Sequence, residues 1–120
     1  MARFRDMVAV DRIERVQVRT LDSVWPELGV GVGRRLLLKT ATQGHDLAVF
    51  AGASEVLRNT LAVTTEASIQ PIYADTPLFP EAAAWLQSRG FVLSGVFPTA
   101  HRTDDLALIE VDAFFTRPSG

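Results

Sequence analysis

Leu36, Leu37 and Leu38 stand together with no polar residue between them, followed by Lys39 and Thr40. A half-buried strand alternates polar and apolar side chains; an unbroken apolar run of strand length instead reads as a strand covered on both faces inside a parallel sheet. A parallel neighbour requires a crossover, ordinarily a helix. The sequence supplies one. From residue 46 to about residue 61, Leu47, Val49, Phe50, Ala53, Val56, Leu57 and Leu61 fill one half of a helical wheel, with Glu55, Arg58 and Asn59 on the other. The pattern predicts one long helix lying flat on a sheet.

Residues 62–69 then read as a second strand and 70–75 as a loop or turn. Thr76 before Pro77 predicts an N-cap and a first-position proline for a helix that runs to Arg89, with Gly90 as its stop. Residues 91–97 form a third strand, and a polar turn with His101, Asp104 and Asp105 follows. Residues 107–116 form a fourth, placing Leu108, Glu110, Asp112 and Phe114 on one face and Ile109, Val111, Ala113 and Phe115 on the other. The element order predicts an α/β fold: parallel strands with flanking helices, ending in an antiparallel hairpin.

Upstream, residues 7–10 read as a short strand, and residues 15–20 alternate Val16 and Val18 against Gln17 and Arg19, the period of a half-buried strand. Thr20 is placed to cap a short helix marked by Leu21, Val24, Trp25 and Leu28. Gly29, Gly31 and Gly33 follow it. A dinucleotide cradle needs a strand, then glycines, then a helix N-terminus. Here the glycines follow a helix and precede a strand, so Gly29 is expected to be a helix stop leading into a linker.

The totals exclude several functions. The chain has 120 residues, 12 basic and 14 acidic, and a formal charge of −2, which gives no electrostatic case for nucleic acid or a membrane surface. It has no cysteine, which removes disulfides and thiolate sites. No apolar run approaches the ~20 residues of a membrane span, and the N-terminus lacks a signal-peptide core. A single cytoplasmic domain over residues 1–120 is expected. With His45 and His101 the only imidazoles, no metal site is expected.

Three ordered blocks carry a resemblance. LLLKTATQGHDLAVFAGASEVL resembles an LLKIDTQGYELEVLKGA-like segment of the FkbM-family, S-adenosylmethionine-dependent methyltransferases. TEASIQPIYADTPLFPEAAAWLQSRGF resembles that family's next stretch, and ALIEVDAFFTR its closing strand, across residues 15–117. The resemblance implies a partial Rossmann-like methyltransferase sheet, the C-terminal half of a class I domain: strands four to seven without one to three. The glycine-rich turn and ribose-binding acid of the family's N-terminal half have no counterpart here. The family cofactor, S-adenosylmethionine, is therefore not expected to bind this chain alone. Ala41 stands where the family segment has Asp, at the carboxyl end of a strand, where open α/β sheets place ligands.

Ala41, Thr42, Gln43, Gly44 and Glu66 are the candidate pocket residues. Gln43 and Gly44 suit a pocket wall or equally a tight strand-to-helix turn; Glu66 could contact a substrate amine or hydroxyl, or merely be hydrogen-bonded at a strand end. His45, beside the pocket, is the candidate general base for a hydroxyl acceptor. Glu110 and Asp112 share a strand face but define no chemistry, and Trp25 and Trp85 are expected to pack. In the implied full fold the first strand lies beside Leu36–Thr40. Without it that strand is an edge, and leaving two leucines uncovered forfeits roughly 3 to 5 kcal/mol. A second copy, the N-terminal strands or a separate half must cover it, with self-association first among these. The chain is thus expected to be either the substrate-side half of a methyltransferase, inactive alone, or a non-catalytic scaffold or dimerisation domain.

Overall fold

The computed structural model describes residues 10–31, 35–42, 44–71 and 77–118. Its sheet is built from β1 (Leu36–Thr40), β2 (Thr60–Ser68), β3 (Val92–His101) and β4 (Leu108–Thr116), ordered β1-β2-β4-β3. β2 runs parallel to β1, and β4 lies between β2 and β3, antiparallel to both. Helices α1 (Leu21–Val24), α2 (Asp46–Ala51), α3 (Ser54–Arg58) and α4 (Phe79–Ser88) complete it, with a 3-10 turn at Trp25–Leu28. This is the mixed α/β, partly parallel architecture the patterning predicts. The β3–β4 hairpin is present, and β4's buried face carries Val111, Ala113 and Phe115.

The core lies on one side of the sheet. Phe50, Ala53, Val56 and Leu57 from α2, α3 and the turn between them, with Ala83 and Leu86 from α4, join Val63, Ala67, Val111, Ala113 and Phe115 in one cluster. Register explains the selection: Val63 is opposite Phe115, Thr65 opposite Ala113, and Ala67 opposite Val111, so alternation turns all six toward the helices. Their neighbours point the other way.

Among the described residues the apolar run is an edge strand. Leu36 and Leu38 pack partly against the core, but Leu37 is 67% exposed, so the run is not covered on both faces. Burial on the second face depends on a layer and a neighbouring strand that no residue in the run encodes. Residues 15–20 have no regular secondary structure and form no ladder, and Val16 and Val18 are 73% and 86% exposed. Alternation states which side chains would share a face; a strand also needs a partner backbone. The expected strand at residues 7–10 falls outside the described residues except for Val10, which is not in a strand.

The expected long helix is two short ones. Gly52 and Ala53 interrupt it, Arg58 ends it, and Leu61 belongs to β2. The break is where α1 docks. Asp22 N donates to Gly52 O at 3.0 Å, and the Asp22 carboxylate accepts from Glu55 N at 2.9 Å and Val56 N at 3.0 Å, capping α3 from another element. A Cβ at Gly52 would come within 3.0 Å of Thr20 Cβ, so only glycine admits this approach without displacement. Thr20 caps α1 as expected, its hydroxyl accepting from Ser23 N at 3.1 Å, and Gly29 ends the 3-10 turn at φ 71°. Gly33 is outside the described residues.

At the next helix Thr76 is outside the described residues, and the first turn is set by Phe79 and Pro80 after an extended Leu78, rather than by Pro77. Proline is tolerated there because first-turn amides have no helical acceptor. Ser88 is the last helical residue and Gly90 follows at φ 91°. β3 is longer than expected and takes in His101, which leaves the turn to residues 102–107.

Candidate functional site

The carboxyl ends of two adjacent parallel strands, followed by a helix start, are where an open α/β sheet presents ligand-facing groups. Here β1 ends at Thr40, the chain passes Ala41, Thr42 and Gly44, and α2 opens with Asp46. The Asp46 side chain is turned inward, leaving the residue 8% exposed. Thr40 Oγ1 donates to its Oδ2 at 2.8 Å, and Thr65 Oγ1 of β2 donates to the same oxygen. Thr42 N donates to Oδ1 at 3.0 Å, and the Thr42 hydroxyl donates there too. One carboxylate thus ties together β1, β2 and the start of α2.

Burial is the largest single influence on Asp46 and raises its proton affinity. The hydrogen bonds from Thr42, Thr65 and Thr40, with the Thr42 amide, together outweigh it and hold the carboxyl below its ordinary 3.8. A carboxylate offers about four lone-pair sites, and four donors occupy them. Asp46 is a fixed anchor with no free acceptor for a substrate proton.

Glu66 is tuned the opposite way. Burial first, then the carboxylates of Glu110, Asp112 and Asp46, push its pKa up from 4.5, against a smaller downward pull from Lys39. Asp112 is its direct cross-strand partner. Glu110 and Asp112, to which the sequence assigns no chemistry, therefore act on a neighbour. Glu66, Gly44, Asp46, Thr65, Ser68 and Ala82 help to line a cleft of about 20 Å³, room for roughly one water molecule.

Of the residues singled out from sequence, the fold brings Gly44 and Glu66 together at this cleft. Thr42 is spent on Asp46, and Ala41 is exposed beside it. His45 is exposed and outside the cleft lining; its backbone amide donates to Thr42 Oγ1 at 3.1 Å. Gln43 lies outside the described residues. The sequence reading missed Asp46, Thr40, Thr65 and Lys39. A signal for Asp46 existed, an acid at a helix start that matches the Glu of the family segment. Nothing pointed to Thr65, which reaches the site only because β2 pairs with β1. Among the described residues no three His, Asp or Glu side chains converge on a metal position, and no helix is long and apolar enough to cross a membrane.

A family model described as the methyltransferase FkbM domain matches residues 7–93. No curated protein and no solved structure matches the chain.

Proposed function

The chain belongs to the methyltransferase FkbM domain family, and on that premise we propose that it is the substrate-side, C-terminal half of an S-adenosylmethionine-dependent O-methyltransferase domain, inactive as an isolated chain. The observation that carries this reading is the exposed edge of β1. The far edge of the sheet, β3, carries Pro98 and three register shifts, devices that blunt an edge. β1 ends the other side as a short strand with Leu37 in solvent, and the face behind it bears Phe97 and Phe114, 59% and 38% exposed. Sheet edge and bare face adjoin where a nucleotide-binding half would sit.

The cleft beside Asp46 does not fit S-adenosylmethionine: a volume near 20 Å³ holds no nucleoside, and the buried Asp46 carboxylate is committed to three threonines. What this chain offers is the acceptor side. Glu66 and Gly44 form a wall, Ala41 and Thr42 its rim, with Gln43 between Thr42 and Gly44 in sequence, and His45 stands nearby as the base that takes the acceptor hydroxyl's proton. Methyl transfer by direct displacement needs little more than an aligned acceptor and a route for that proton. Titration calorimetry of the chain with S-adenosylmethionine should give no measurable heat of binding; micromolar affinity would overturn the half-domain reading.

A second reading, a non-catalytic scaffold or dimerisation domain, is favoured by Ala41 in place of an acid and by the committed Asp46. Assembly of two copies through the bare faces is opposed by like charge, because each presents Glu66, Glu110 and Asp112. Self-association then runs through β1. Sedimentation should show a dimer at micromolar concentration that Leu37→Lys converts to monomer. A monomeric parent chain at that concentration leaves a separate half as the partner.

A further inference from the structure

At the opposite end of β2, roughly 16 Å along the strand from Thr65 by strand rise, lies a second feature that the methyltransferase reading does not use. Arg58, Arg89 and Arg117, with Ser54, Ser88 and Leu57, line a surface groove of about 530 Å³. That is within the ~300–1,000 Å³ typical of small-ligand sites. We propose that this groove binds a phosphate-bearing small molecule, with Arg89 and Arg117 as its anchoring cations and Arg58 at its rim.

Two of the guanidinium groups are held before any ligand arrives. Arg117 stacks over Phe91 at 4.3 Å and donates from Nε to Thr60 O at 3.2 Å, from Nη1 to Arg89 O at 2.9 Å and from Nη2 to Leu57 O at 2.8 Å. Gly90, at φ 91°, makes room for it, since a Cβ there would lie 2.8 Å from Arg117 Nη1. Arg89 stacks over Trp85 at 4.4 Å and donates from Nη1 to Ser88 Oγ at 3.2 Å. Arginine heads immobilised on aromatic rings lose little freedom when they grip an oxyanion.

Among the described residues close carboxylates do little to neutralise their charge. Among the described residues neither Arg89 nor Arg117 has a carboxylate within 4.0 Å, and Arg58 has only the exposed Glu55 at 3.7 Å. The plain alternative is that Arg117 serves only to satisfy the carbonyls at the ends of α3 and α4. It does satisfy them, and by doing so it turns those acceptors away from an incoming anion. That role does not extend to Arg89, which is stacked on Trp85 at the same groove and, among the described residues, has no carboxylate partner. A guanidinium carries five N–H donors, so both heads retain donors for a tetrahedral dianion. The serines contribute little, because Ser54 and Ser88 donate their hydroxyl protons to Ala51 O and Trp85 O. Recognition rests on the guanidinium groups, as phosphate geometry favours.

The test is a titration of the full chain with inorganic phosphate at neutral pH and constant ionic strength, followed by the arginine Nε–Hε resonances. Saturable shifts are expected at Arg89 and Arg117, with Arg12 unmoved. Arg89→Gln should weaken binding by about tenfold or more, the scale of one charged contact, and Arg58→Gln by a few-fold. Pyrophosphate and a sugar phosphate, run in parallel, tell a free-phosphate site from one that takes an organic phosphate. Non-saturating shifts of equal size at every arginine, or affinity unchanged in both variants, overturn the proposal. Thermal unfolding checks that Arg89→Gln stays folded, and exposed Arg58 decides the matter if it does not.

Discussion

The two faces of the sheet are built from alternate residues of the same strands and differ in almost every respect. Toward the helices, Phe115, Val111 and Val63 are fully buried. One residue along in register, Phe114 touches Phe97 edge to face at 5.4 Å in partial solvent, and Glu66 crowds Asp112 and Glu110 with Lys39 as the nearby cation that opposes them. Sequence hydrophobicity does not separate Phe114 from Phe115. What separates them is which face has a layer on it. The chain is finished on one side and open on the other, and its stability resides almost wholly in the finished side.

The sharpest way to break this comparison is to truncate the two adjacent phenylalanines. Phe115→Ala should cost about 3–5 kcal/mol and leave little folded protein, whereas Phe114→Ala should cost under about 1 kcal/mol in denaturant titrations. Equal costs would mean that the second face is also a core. Asp46→Ala comes next, at about 3 kcal/mol, since it leaves the Thr40 and Thr65 hydroxyls buried without an acceptor; a loss below about 1 kcal/mol would show the cage to be dispensable. Because the folded-state pKa of Asp46 is lowered, its contribution is present above pH 3.8 and is lost as pH falls through the lower native value. The smallest effect belongs to Glu66→Gln. A raised carboxyl pKa means that ionisation costs stability as pH climbs from about 4.5 through the native value. The variant should therefore melt slightly higher than the parent at neutral pH, with the difference vanishing below pH 4.5. An unchanged or lower melting temperature at neutral pH would show that no like-charge crowding exists on the open face.

Much of the architecture was legible because it is written locally. The alternation from Ile109 to Phe115, the stop at Gly90 and the cap at Thr20 each depend on a few neighbouring residues and a period. The break at Gly52 was not legible, since Leu47 to Leu57 keep a helical stripe across it and only the docking of Thr20 and Asp22 marks the interruption. Leu37 could not be assigned an environment from its own apolarity, and Val16 and Val18 have strand periodicity without a strand. At the candidate site the acid at a helix start was visible, but its three threonine partners come from positions 40, 42 and 65. Pairing of β1 with β2 creates that cage, and no local pattern announces a pairing.

The docking of α1 also fixes where the upstream polypeptide sets out. Leu21 and Trp25 pack against the helical core, so residues 10–20 leave from the finished side of the sheet. Fully drawn out, those eleven residues reach at most about 36–40 Å, while the three intervals between four strands span roughly 14 Å at their usual spacing. The segment is long enough to round the β1 margin and reach the opposite side.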